Sequence, residues 1–233
     1  MDMNAIVTTV LAVIPAIILC FYIYKSDTLE KEPMWLLLSL FIFGVISTVP
    51  AVFLERLYQT VFPINEEDLV SIFFYSFIGI ALIEEGYKAL FTYLIVYRNK
   101  NFDHIFDGIV YAVFMSLGFA TLENILYLFR YGIDLALSRG LVSVPAHAFY
   151  AVSFGFFLGK AKEASVHRKR GKAFGFLVLS LLVPVILHGV FDFLLLSGNQ
   201  TLYTAFLIFV VFLYIISFIQ VKMHANVMTM LDN

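Results

Sequence analysis

Apolar runs separated by short polar joints recur from one end of the chain to the other. Seven can be drawn: Ala5–Tyr24, Met34–Leu54, Leu69–Tyr97, Asp107–Phe129, Leu141–Gly159, Ala173–Leu196 and Leu202–Val221. Each is near the ~20 residues that a helix needs to cross a ~30 Å hydrocarbon core. The third is the longest, and its excess must be taken up by tilt, a kink or protrusion from the bilayer. A break near Gly79 or Gly86 would split it and raise the count to eight. Pro15, Pro50, Pro145 and Pro184 fall inside these runs, where proline bends a helix and frees carbonyls that neighbours must satisfy. The pattern predicts an all-α polytopic membrane protein of seven to eight transmembrane helices. One domain over residues 1–233 is expected, because no polar stretch is long enough for a second.

Composition strengthens this reading. The chain is 61% hydrophobic and 14% charged, whereas a soluble domain is about half apolar and a quarter charged. The lipid bilayer is therefore the expected surrounding. A net charge of −2 gives no electrostatic case for nucleic acid. The lone cysteine, Cys20, rules out an internal disulfide and a multi-cysteine metal site. The first apolar run has no basic leader and no small-x-small cleavage site, so it reads as a retained span. Of 15 basic residues, Arg56, Arg130 and Arg139 fall on one side, Lys88 falls inside a span, and the rest share the other side. The positive-inside rule then puts the amino terminus outside and the carboxy terminus in the cytoplasm.

The informative residues are the ionisable ones inside the spans. Glu84, Glu85 and Lys88 can share one broad helical face. Each charge near the bilayer centre costs roughly 2.5–3.5 kcal/mol on the lenient insertion scale, so three in five residues need partners. Glu123, His147, His188 and Asp192 lie in other spans, the last two stacked four residues apart. Taken singly they have plain structural readings: a Glu–Lys pair orienting helices, or a histidine bonded to a carbonyl. Together they do not, because one lysine cannot neutralise four acids.

Their depths agree as well. Counted from the basic ends of their spans, with the third anchored at Tyr97, Glu84, Glu123, His147 and His188 all come out roughly 18–24 Å into the core. Asp192 is a turn higher. Four helices thus bring ionisable groups to one level, in the outer half of the membrane. Such a set suits hydrolysis by an activated water. His147, His188 and Glu123 could hold zinc, leaving an open position for water, with Asp192 as a further ligand or bonded to His188. The His-Glu-x-x-His, Gly-x-Ser-x-Gly and paired-aspartate patterns are absent.

These residues carry a resemblance to the PrsW family of intramembrane proteases, within the clan that includes the type II CAAX prenyl endopeptidases. Glu84-Glu85-x-x-Lys88 resembles the family's first motif and Phe119-x-x-x-Glu123-Asn124 its second. His147-Ala148 and His188-Gly189-x-x-Asp192 resemble the third and fourth, and Asp107-Gly108-Ile109-Val110-Tyr111 extends the similarity. The match to the prenyl endopeptidases is looser: they carry arginine one residue after the position of Lys88, histidine at 123 and usually asparagine at 192.

The resemblance implies a bacterial plasma-membrane protease making the first cut in a single-pass anti-sigma factor, near its extracytoplasmic side, under envelope stress. Glu84 is the choice for the general base, with Glu85 either orienting Lys88 or sharing base duty, and Lys88 and Asn124 complete the expected catalytic residues. Glu123, His147, His188 and Asp192 would surround the metal. A metal-free mechanism, with Glu84 and His188 activating water directly, is the alternative chemistry. A CAAX-type prenyl-protein endopeptidase is the alternative activity, and a proton- or cation-coupled transporter, which also gathers intramembrane acids and histidines, is the alternative class. A transporter would be expected to show repeat symmetry and broken helices in corresponding halves, and neither is visible.

Overall fold

The structure, a computed structural model, describes residues 3–28 and 30–225 and is all-helical within them. α1 is Met3–Ser26 and α2 is Met34–Val61. The third span is α3, Leu69–Phe74, a π-helical stretch Tyr75–Leu82, and α4, Ile83–Val96. α5 is Ile105–Tyr131, α6 Ile133–Leu141, α7 Ser143–Val166, α8 Arg170–Leu196 and α9 Gln200–His224. Among the described residues seven helical runs are long and apolar enough to cross a membrane, with α6 and α7 forming one of them. The protein is therefore a multi-pass membrane protein.

Two expectations are refined. The third run does not break into two crossings near Gly79; it widens into π geometry there and continues as α4. The fifth run starts earlier than Leu141, because residues 133–141 form a short helix of their own rather than a loop. Pro145 stands in the first turn of α7, where an N–H has no helical partner to lose. Its effect is thus a permitted start rather than a kink.

α5 is the axis of the bundle, buried almost throughout between α1, α2 and α7. Lipid-facing helices gain no hydrophobic energy by meeting one another, so close backbone packing does the work, and small residues permit it. A Cβ on Gly155 of α7 would lie 2.3 Å from the carbonyl oxygen of Gly108 on α5, and one on Gly108 would lie 2.4 Å from that of Gly155. Gly44 and Gly118 do the same for α2 against α5. α8 packs on α7 and on the π stretch, and α9 closes the outside of α7 and α8. The outcome is one polar centre enclosed by α4, α5, α7 and α8.

Candidate active site

Glu84 and Glu85 follow directly on the π stretch, in the first turn of α4. A π turn inserts an extra residue, which rotates the face that follows, and such turns are frequent at functional sites. Here the rotation buries Glu84, Glu85 and Lys88 together, each about 3% exposed. Lys88 Nζ donates to Glu85 Oε1 at 2.7 Å and to Glu84 Oε2 at 3.3 Å, and lies over the Phe119 ring. It is also 3.2 Å from His147 Nδ1.

The two histidines arrive from α7 and α8 and share one arrangement. His147 Nε2 meets Glu123 Oε2 at 3.0 Å, while His188 Nε2 meets Asp192 Oδ2 at 3.3 Å. Each ring is thus held by an outer carboxylate on one nitrogen and turns Nδ1 towards the centre. His188 Nδ1 lies 2.8 Å from Glu85 Oε1 and 4.0 Å from Glu84 Oε2. The rings stand at 82° to each other with centroids 5.2 Å apart. Ser116 Oγ donates to the His147 carbonyl at 2.9 Å and so fixes α7 against α5.

A cavity of about 150 Å³ adjoins this centre, lined among others by Glu84, Glu123, His147, Tyr150 and His188. Asn124 does not join it. Its side chain turns the other way, donating to the carbonyls of Ala12 on α1 and Ala136 on α6.

Three residues at the site were not singled out in the sequence. Arg139, expected in an outer loop, lies on α6 with its guanidinium 2.7 Å from Glu123 Oε1 and stacked on Tyr127. Tyr150 stacks on His188 at 4.8 Å, and its hydroxyl is buried without a hydrogen-bond partner. Its spacing of three from His147 puts both on one helical face, a signal that could have found it. Glu55 on α2 lines the cavity too, and one of its oxygens is also buried and unpartnered. Nothing in its local sequence distinguished it from an ordinary acid near a span end.

The donors suit a metal ion. Among the described residues Glu84, Glu85, His147 and His188 each bring one ligand atom within 4.8 Å of the others, all four buried. Imidazole and carboxylate are zinc-type donors, and outer carboxylates on ligand histidines are the usual orienting partners. This group exchanges Glu123 and Asp192 of the expected ligand set for Glu84 and Glu85. Those two acids stand one shell further out, on the Nε2 atoms. The Lys88 ammonium is the cation that the converging donors hold in this structure.

Buried carboxylates, imidazoles and an unpartnered hydroxyl around a small cavity in a helical bundle suit a membrane-embedded hydrolase. The comparisons give its family. The profile of PrsW family intramembrane metalloproteases matches residues 32–219. Protease PrsW of Oceanobacillus iheyensis is 37% identical over 218 residues, covering 94% of this chain and 95% of that protein. Protease PrsW of Bacillus subtilis is 40% identical over 200 residues, covering 86% and 87%. No solved structure matches the chain significantly. The chain belongs to the PrsW family of intramembrane metalloproteases, and its substrate is accordingly a protein of the membrane.

Proposed function

We propose that this protease cleaves a single-pass membrane protein of the anti-sigma factor type, near its extracytoplasmic side, as a step in envelope-stress signalling. The amino terminus would lie outside and the carboxy terminus, Asn233, which is outside the described residues, in the cytoplasm of a bacterial cell. The observation that carries the chemical part is the pair of imidazoles, each turning Nδ1 to one centre beside Glu84 and Glu85.

His147 and His188 with Glu85 would hold zinc at that centre, beside Lys88, which lies over the Phe119 ring. Bound zinc supplies a water of lowered pKa and a Lewis acid for the carbonyl. Glu84 takes the proton of the attacking water and returns it to the leaving amine. The Tyr150 hydroxyl, free of other partners, donates to the oxygen on which negative charge develops. Glu123 and Asp192 hold the two Nε2 atoms, and Arg139 fixes Glu123. Asn124 supports the site indirectly by tying α5 to α1 and α6.

The test is cleavage of a purified anti-sigma-type single-pass protein in vesicles, with metal content measured on the same samples. His147→Ala and His188→Ala should lose metal and cleavage together. Glu84→Gln should lose cleavage and keep the metal. Cleavage by metal-free protein after exhaustive chelation would overturn the zinc assignment in favour of Glu84 and His188 acting directly on water. Cleavage of other single-pass proteins but of no anti-sigma type would overturn the substrate assignment.

A further inference from the structure

Four side chains of the catalytic cavity, Glu55, Tyr75, Glu123 and Tyr127, also line a second cavity of about 440 Å³. The two spaces therefore share a wall, and the larger lies between α2, the π stretch and the last turns of α5. Gln59 donates to the Tyr75 hydroxyl and joins α2 to the π stretch along one side. Arg56 and Arg130 line this vestibule and also the open space beyond it, so they stand at its mouth from opposite helices. Both are exposed, and among the described residues neither makes an ion pair.

A mouth with two unpaired guanidinium groups above a floor with two carboxylates has a direction built into it. It favours a ligand that carries negative charge at its outer end and hydrogen-bond donors at its inner end. A lipid phosphate meets only the first condition. A polypeptide strand with an acidic side chain meets both, since its main-chain N–H groups can serve the unpartnered oxygen of Glu55. The spacing sets the register. Arg130 follows Glu123 by seven residues on one helix, a rise of about 10 Å, which an extended chain covers in about three residues.

Resting on the protease reading above, we propose that this vestibule seats an extended segment of the substrate beside its membrane span. Arg56 and Arg130 there bind an acidic side chain about three residues out from Glu123, which stands across the His147 ring from the centre, so about four or five residues from the cleaved bond. Guanidinium groups suit this role, because their planar donors pair a carboxylate in two-point fashion.

The experiment uses the full-length protein in neutral phosphatidylcholine vesicles with a single-pass reporter carrying Asp or Asn at that position. Wild type should prefer the Asp reporter about fivefold in kcat/KM, chiefly through KM. The Arg56→Gln, Arg130→Gln double variant should bring the ratio to about one, while the double lysine variant, which keeps the charges and controls for folding, should retain part of it. A glutamine variant with undiminished preference, or wild type with none, would overturn the assignment. So would an arginine effect that is equal for both reporters and follows added phosphatidylglycerol, which marks the arginines as lipid anchors. Failure of wild type to cut either reporter would instead strike the protease reading itself.

Discussion

Arg139 offers the sharpest test of how the site is held together. Its guanidinium is 2.7 Å from Glu123, and both side chains are about 15% exposed, so the pair is largely out of water. With charge centres about 4 Å apart and an effective dielectric near 20, the attraction is about 4 kcal/mol. Removing one partner of such a pair leaves the other charge buried and costs about 3–5 kcal/mol. Arg139→Met should therefore destabilise the protein by about 3 kcal/mol in detergent unfolding. Glu123→Gln should be comparably harmful, because it strands the guanidinium and loosens His147.

The double variant is the informative corner of the cycle. With neither charge present the desolvation penalty disappears, so the two costs should fall short of additivity by about 2 kcal/mol or more. The measurement is a four-way comparison of unfolding midpoints, with metal content followed in parallel, since His147 loses an anchored partner whenever Glu123 moves. If Arg139→Met costs less than about 0.5 kcal/mol, as an exposed loop charge would, the docking of α6 against the site is wrong.

Three other outcomes follow from separate parts of the structure. Tyr150→Phe should lower kcat about 100-fold if the hydroxyl donates to the oxyanion, yet leave thermal stability equal or slightly raised, because that hydroxyl has no partner to lose; unchanged kcat would remove it from the chemistry. Gly155→Val should cost about 1–3 kcal/mol or more by forcing α7 off the Gly108 carbonyl, and an unaltered unfolding midpoint would refute the crossing. Burial, foremost, lifts the Glu32 carboxyl in the α1–α2 joint to about 7, where it accepts from Tyr111. The folded state then keeps a proton that the unfolded chain releases, so this stabilisation is full below about pH 4.5 and is lost as pH rises through about 7. Glu32→Gln should flatten the stability profile in that window; an identical slope in both proteins would refute the linkage.

The site was readable in the sequence to the extent that helical geometry is rigid. A fixed rise per residue lets Glu84, Glu123, His147 and His188 be levelled against one another without knowing how their helices pack, and the structure brings all four into one cluster, with Glu123 on its outer side. Rotation about each helix axis is not fixed in that way. Glu123 and Asp192 therefore could not be told apart from Glu84 and Glu85 as inner or outer acids. The π stretch, which turns Glu84 and Glu85 inward, leaves no mark in an apolar run such as Tyr75–Leu82. Arg139 was missed for another reason: nine residues of mixed polarity carry too little signal to separate a short docked helix from a loop. Asn124 stands beside Glu123 in sequence, but adjacent helical residues point about 100° apart, and here they serve different parts of the bundle.

That the inner donors come from three separate helices has a bearing on how the cell makes this protein. Glu84 and Glu85 emerge on α4, His147 some sixty residues later and His188 later again on α8. A chain still on the ribosome has its carboxylates in the membrane well before it has both imidazoles. During that interval Lys88 can pair with the acids on its own helix, so they need not sit in lipid as bare charges. On the proposed roles of the two imidazoles, hydrolytic competence would arrive only with α8, and a nascent or truncated copy lacking it would be inert towards its neighbours in the bilayer.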